Sequence, residues 1–134
     1  MVLQSLAGLP AFLAYFGVAV VAVIVYLFIY TRFTPQDEFQ LIASNVPGAA
    51  VALGMSLLGF ALPVASAVAH AANVVECAIW SVVGLIVQIV AFLVARLFVP
   101  NLPQRISDGE MAAAVWVGFV SVAAGLLSAA SMTY

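Results

Sequence analysis

Gln88 is the one strongly polar side chain that falls near the middle of a long apolar segment of this chain. A glutamine amide carries two N–H donors and a carbonyl acceptor, so it can bind a polar solute or pair with a neighbouring helix. An unpaired amide is costly in an apolar medium, so Gln88 is expected to face protein or water. A hydrogen bond between helices is the preferred interpretation, and a group lining a path stays open.

Serines form a weaker polar set in the same apolar segments. Ser66 and Ser128 are the candidates we retain, although serines in helices commonly bond back to their own backbone. The full set is Ser56, Ser66, Ser121, Ser128 and Ser131.

A second group with possible chemistry is His70, Glu76 and Cys77, which lie close together in sequence. Their spacing matches no standard zinc site, and the single cysteine excludes an internal disulfide. No nucleophile with a base, paired acid or phosphate loop is present. The sequence therefore predicts no metal, no cofactor and no enzymatic activity.

Four apolar segments must position these side chains. The chain of 134 residues is 67% hydrophobic and 6% charged, whereas soluble domains carry about a quarter charged residues. The segments run over about 10–31, 46–69, 75–98 and 108–132, and each has the roughly 20 residues that a span needs. Lipid requires internal backbone bonding, and no outer-membrane strand alternation occurs. We predict an all-α membrane protein with four transmembrane helices.

The two halves of the chain match at an offset of sixty-four positions. Arg32 falls on Arg96, Gln40 on Gln104, and Gly54 on Gly118. This pattern predicts a single membrane domain over 1–134, with two-helix repeats at about 10–69 and 75–132. Because each repeat has two spans, the repeats are expected to be parallel and related by an axis along the membrane normal.

Arginine placement predicts the orientation. Arg32, Arg96 and Arg105 occur in the first and third connections, and the second connection has no Lys or Arg. The positive-inside rule places those two connections in the cytoplasm and both termini on the outer, periplasmic side. The net charge of −2 gives no sign of a nucleic-acid partner.

Small residues predict which helices pack together. They recur at spacings of four in the fourth helix, and such spacing lets helix backbones approach closely in lipid. We predict that the second and fourth helices pack at the axis, with the first and third outside. Pro63 should kink the second helix and free the Gly59 carbonyl. The preferred interpretation is that this kink serves helix packing. The predicted packing residues are Gly54, Ala61, Ala65, Gly118, Ser121, Gly125 and Ala129.

Local signals predict the helix ends. Asn73 with Glu76, and Ser107 with Glu110, have the spacing of capping boxes for the third and fourth helices, and Pro47 suits a first turn. The first connection, from Thr34 onward, reads as a short amphipathic helix on the membrane surface. The third connection has a shorter counterpart over 100–106.

One transporter family of this size is excluded by the first helix. Small multidrug transporters carry an essential glutamate there, and proton-coupled carriers need an ionisable group within the membrane. No acid, Lys, Arg or His falls at mid-membrane depth here.

The chain instead resembles the YjfL family over nearly its whole length. This bacterial inner-membrane family is named for a domain of unknown function and often has tandem two-helix copies. The marks in the first half are Tyr30, Thr34, Pro35, Glu38, Leu41, Ile42, Asn45, Ala49, Ala50, Gly54, Gly59, Pro63, Ser66 and Ala67. Those in the second half are Arg96, Pro100, Gly125, Ala129, Ala130, Met132 and Thr133. The family often ends in Cys-Met-Thr-Trp, but Ser131 and Tyr134 occupy the outer positions here, so no role rests on that cysteine.

The resemblance implies an inner-membrane protein with links to envelope stress, and it carries no established activity. Its marks Thr34, Pro35, Glu38 and Asn45 fall on the first connection, which is the expected surface for a partner. The first hypothesis is a homo-oligomeric bilayer component that acts through a membrane-stress partner. The alternative is an uncoupled channel or carrier whose path, lined by Gln88 and the serines, runs between protomers.

Overall fold

The computed structural model describes residues 6–33, 38–99 and 101–132. Six helices lie wholly within these ranges, and no strand occurs in them. The helices are α1 (Leu9–Phe33), α2 (Glu38–Ala43), α3 (Pro47–His70), α4 (Val74–Phe98), α5 (Leu102–Ser107) and α6 (Met111–Ser131). The four long helices are each long and apolar enough to cross a membrane, which confirms the predicted fold class. The relation between the two halves as repeats stays a prediction.

The structure confirms one of the two predicted helix caps and contradicts the other. Asn73 caps α4, because its Oδ1 accepts a hydrogen bond from the Glu76 backbone N–H at 2.8 Å. The predicted box of Ser107 with Glu110 is wrong. Ser107 ends α5, and α6 begins only at Met111, after Gly109 turns the chain with a φ of +81°. The Glu110 carboxylate pairs instead with Arg105, whose Nε lies 3.2 Å from Oε2.

The second and fourth spans, α3 and α6, make the most extensive contact in the bundle, as predicted. The first span, α1, lies outside: only 6% of its most apolar stretch is buried, against 44% for α3. The third span is more embedded than predicted, because α4 packs against both α3 and α6. At that contact a Cβ on Gly84 would lie 3.0 Å from the Pro63 Cβ, so the absence of a side chain on Gly84 lets α4 approach the proline closely.

The closest approach of α3 and α6 involves Gly59, Ser121 and Gly125. A Cβ on Gly125 would collide with the Gly59 carbonyl, and a Cβ on Gly59 would collide with the Ser121 backbone. The neighbouring α6 residues Gly118 and Ala129 also face α3. A Cβ on Gly118 would lie 2.6 Å from the Met55 sulfur, and the Ala129 carbonyl accepts a hydrogen bond from Ser66.

Three of the predicted packing residues do not face α6. Gly54 is exposed, and a Cβ added to it would have no neighbouring atom within 4 Å; Ala65 is exposed as well. Ala61 and Ala65 line the cleft between α1 and α3. The reason is the 3.6-residue turn of the helix: Gly54 lies five residues and Ala65 six residues from Gly59, so both point well away from α6. The comparison of the two halves at an offset of sixty-four positions therefore predicted the wrong face of α3.

Candidate functional site

The described residues place a cluster of polar groups inside the bundle, which we call the polar node. It consists of the side chains of Tyr26, Ser56, Gln88 and Ser121 together with the Gly59 carbonyl. The four side chains come from α1, α3, α4 and α6 respectively, so all four spans contribute. Each of these side chains is buried.

Gln88 is the centre of the polar node and is only 2% exposed. Its Nε2 donates to the Gly59 carbonyl at 3.2 Å and to the Ser121 carbonyl at 3.1 Å. Its Oε1 accepts a hydrogen bond from the Ser121 hydroxyl. The amide therefore uses both donors and its acceptor inside the protomer, and it joins α4 to α3 and α6 at their closest approach.

The Gly59 carbonyl needs this partner because of Pro63. A proline has no backbone N–H, so the carbonyl four residues earlier loses its usual helical donor. The α3 helix continues through Pro63 to His70, and Gln88 supplies the missing hydrogen bond from a neighbouring helix. Two features that the sequence presented separately, the proline and the glutamine, are thus parts of one arrangement.

Tyr26 brings α1 to the polar node. Its hydroxyl interacts with the side chains of Ser56 and Ser121, and its ring stacks on Phe60 with centroids 4.7 Å apart. A buried tyrosine needs a partner for its O–H while its ring packs with apolar groups. Sequence reasoning missed Tyr26, although a tyrosine within an otherwise Val-rich and Ile-rich segment is a usable signal for a polar contact.

The other candidate serines donate hydrogen bonds to backbone carbonyls. Ser66 Oγ donates to the Ala129 carbonyl at 2.9 Å, which links α3 to α6. Ser128 Oγ donates to the Gly125 carbonyl of its own helix at 3.2 Å. Neither serine extends the polar node toward either end of the bundle.

The candidate partner surface is described only in part. Thr34 and Pro35 lie outside the described residues, and Glu38 is the first residue of α2, with its side chain also outside them. Asn45 is exposed at the junction between α2 and α3, in the left-handed region at a φ of 64°. Asparagine tolerates that conformation better than most residues, so its position at this bend has a backbone reason.

The polar node offers hydrogen bonding but no evident acid–base or metal chemistry. Its members are an amide, three hydroxyl groups and a peptide carbonyl, none of which is a carboxylate or a cation. Within 6–33, 38–99 and 101–132, no group of three His, Cys, Asp or Glu residues could hold a metal ion. His70 Nδ1 lies 2.9 Å from the Ser66 carbonyl, and Cys77 is buried as a free thiol. The arrangement is suited to holding helices together.

Comparison with known proteins identifies the family. The family model described as Domain of Unknown Function (DUF350) matches residues 4–132. The chain belongs to this family. It is 37% identical over 132 residues to the UPF0719 inner membrane protein YjfL of Escherichia coli (strain K12). The aligned region covers 98% of this chain and 100% of the relative. The protein of the same description in Escherichia coli O157:H7 matches to the same extent.

Family membership confirms the resemblance drawn from the sequence. No solved structure matches the chain. The inner-membrane description of the relative agrees with the four candidate spans, so the chain is an inner-membrane protein of the DUF350 family, whose function is unknown.

Proposed function

We propose that this DUF350 chain is a non-enzymatic component of the bacterial inner membrane. It assembles with copies of itself and acts through protein partners in envelope or stress physiology. The proposal rests on one observation: Gln88 is buried, and its side-chain amide is hydrogen-bonded inside the protomer. The polar side chain best suited to handling a solute is thus already used to hold three helices together.

The alternative, a channel or carrier with a path between protomers, has less support. Such a path needs polar groups on the outer surface of the bundle. Gln88 faces inward, and the hydroxyls of Ser66 and Ser128 bond to backbone carbonyls. The exposed faces of α1 and α4 carry large apolar side chains, among them Phe16, Ile24 and Ile86.

Assembly and permeation can be tested on the same purified protein. We expect a mass corresponding to more than one chain in lipid nanodiscs, and no ion flux in liposomes beyond that of empty vesicles. Loss of the protein should also change sensitivity to agents that perturb the envelope. A single-chain mass, or unchanged sensitivity, would refute the corresponding part of the proposal. A flux that depends on the protein would favour the channel instead.

The proposed orientation places both termini in the periplasm, because the arginines mark the cytoplasmic side. In a Cys77→Ala background, cysteines at Gln36 and Gln104 should be shielded from an impermeant thiol reagent added to intact spheroplasts. A cysteine at Asn73, exposed at the start of α4, should react. Gln36 itself lies outside the described residues, whereas Gln104 is exposed on α5.

Permeabilised cells provide the control, since all three cysteines should then react. Reaction of the Gln36 and Gln104 cysteines in intact spheroplasts, with protection at Asn73, would reverse the orientation.

A further inference from the structure

An apolar cavity lies on the outside of the bundle between α1 and α4, and we call it the α1–α4 cavity. Its volume is about 550 Å³, and its walls include Gly17, Val21 and Val25 of α1 and Val82 of α4. Val21, Val25 and Val82 are exposed, so the cavity opens sideways to the bilayer. Phe60 of α3 also lines the cavity and is fully buried, which places its ring on the inner side. A molecule dissolved in the lipid can therefore enter directly.

Ser81 of α4 has the one polar side chain among the described residues that line this cavity. Ser81 is only 3% exposed, and its Oγ has no hydrogen-bond partner within the described parts of the chain. Its polar neighbour is the Cys77 thiol, one turn earlier, and a thiol is a weak donor and a weak acceptor. Because buried hydroxyl groups normally have a partner, the Ser81 hydroxyl is available to a ligand in the cavity.

The depth of Ser81 restricts what that ligand can be. The α4 helix begins at Val74 and has 25 residues, which is about 37 Å of helix. With α4 centred on a hydrocarbon layer about 30 Å thick, Ser81 lies about 7 Å inside the edge of that layer. The group that bonds to Ser81 must therefore belong to a molecule that dissolves in the hydrocarbon layer.

Two common occupants of a membrane cavity do not provide such a group. An acyl chain has no hydrogen-bonding atom, and the ester carbonyls of a phospholipid lie at the edge of the hydrocarbon layer, farther out than Ser81. A second copy that met this surface with its own α1 and α4 would bring apolar side chains, since Phe16, Val20 and Val82 are among the exposed groups there. The occupant must combine an apolar body with a hydrogen-bond acceptor.

We propose that the α1–α4 cavity binds an isoprenoid quinone. One ring carbonyl accepts a hydrogen bond from the Ser81 hydroxyl, and the isoprenoid tail follows the apolar wall of α1. A quinone is uncharged, dissolves in the hydrocarbon layer and carries its acceptors on an apolar ring. Its binding does not depend on assembly of the chain with copies of itself.

The size and lining of the cavity agree with this ligand. Small-molecule sites typically have volumes of about 300–1,000 Å³ and are lined mostly by apolar groups with a few polar ones. The Phe60 ring is held by stacking on Tyr26 and offers an aromatic surface to a flat ring. On α1 the cavity extends from Leu13 to Val25, which is about 18 Å. This wall is long enough for the quinone ring and the first isoprenoid units.

Native mass spectrometry of the full chain in detergent tests the ligand. The probes are decylubiquinone and decylbenzene, which share a ten-carbon tail, although only the first has ring carbonyls. We expect one decylubiquinone to be retained per chain and decylbenzene to be retained weakly. Ser81→Ala should weaken decylubiquinone binding about fivefold, from the loss of one hydrogen bond. Ser128→Ala is the matched control and should bind as the wild type does, because the Ser128 hydroxyl bonds within α6.

Equal retention of the two probes by the wild type would overturn the proposal, because the cavity would then accept any apolar molecule. Unchanged binding in Ser81→Ala would overturn the role of the hydroxyl. Thermal unfolding without ligand separates binding from a structural role. Ser81→Ala should unfold at or above the wild-type temperature, since it removes a buried hydroxyl that has no partner. A lower unfolding temperature would show that Ser81 stabilises the fold instead.

A variant that fills the cavity tests the position of the quinone. Gly17 lines the cavity, and among the described residues no side chain and no other helix lies within 4 Å of the position that its Cβ would take. Gly17→Phe should therefore leave the bundle folded and reduce decylubiquinone retention to that of decylbenzene. Gly54→Phe is the control, since Gly54 has equally open surroundings on α3 and is not part of the cavity wall. Equal retention in the two phenylalanine variants would place the quinone elsewhere.

The same spectra report whether a second copy covers the cavity. Retention per chain should be equal in single-chain and multi-chain species. Loss of the quinone from the multi-chain species alone would show that a second copy fills the cavity, and would overturn the proposal for the assembled protein. Quinone retention by a protein that forms no multi-chain species would support this site while refuting self-assembly.

Discussion

A leucine at Gly125 is expected to push α6 away from α3 and to lower the stability of the bundle by about 3 kcal/mol, the upper end of the usual cost of overpacking. The cost is high because even a Cβ would collide with the Gly59 carbonyl, which is main chain and cannot rotate away. Thermal unfolding in a mild detergent, followed by circular dichroism, measures the change.

Gly54→Leu is the matched control for this substitution. Gly54 is a helical glycine in the same bundle, and among the described residues no side chain and no other helix lies within 4 Å of the position that its Cβ would take. Its leucine variant should unfold close to the wild-type temperature. If Gly125→Leu were equally stable, the close contact of α3 with α6 would be absent from the protein in detergent.

Replacing Gln88 by leucine should cost about 2 kcal/mol. The change removes the two hydrogen bonds that Nε2 donates to the Gly59 and Ser121 carbonyls. It leaves the Gly59 carbonyl without a donor, since Pro63 cannot supply one. A buried polar group that loses its partner costs about 1–3 kcal/mol, and hydrogen bonds between membrane helices are worth about 0.6–2 kcal/mol.

A double-mutant cycle with Pro63→Ala separates this explanation from a simple packing defect. An alanine at position 63 restores the N–H that bonds the Gly59 carbonyl within α3, so Gln88→Leu should cost about 1 kcal/mol less in that background. Additive effects would show that Gln88 does not compensate for the proline. If Gln88→Leu left stability unchanged but altered an ion flux in liposomes, Gln88 would belong to a permeation path.

The sequence predicted the polar node in separate pieces. The cost of an unpaired amide in lipid indicated that Gln88 needs a partner, and the chemistry of proline indicated that Gly59 has a free carbonyl. Whether the Gln88 amide reaches the Gly59 carbonyl depends on how α4 is rotated against α3, and no local sequence pattern specifies that rotation. Tyr26 joins the polar node for the same tertiary reason.

The errors in the sequence reasoning also have identifiable causes. Gly54 and Ala65 were predicted to pack because they match Gly118 and Ala129 at the sixty-four-position offset, but the helical turn directs them away from α6. Ser107 was predicted to begin the fourth span, but the side chain with which it would pair, that of Glu110, binds Arg105 instead. The offset failed because it takes no account of the helical turn, and the capping spacing failed because the Glu110 carboxylate binds Arg105.

The polar node also makes the two halves of the chain unequal. At the sixty-four-position offset, Gln88 corresponds to Ile24, Ser121 to Leu57, Tyr26 to Val90 and Pro63 to Leu127. Each polar side chain therefore has an apolar counterpart. Gln88 and Pro63, which frees the Gly59 carbonyl, lie in different halves, so two copies of one half could not form the bond between Gln88 and that carbonyl. If the chain arose by duplication of a self-associating pair of helices, this divergence has tied the two halves to each other, because the bond between Gln88 and the Gly59 carbonyl needs one group from each half.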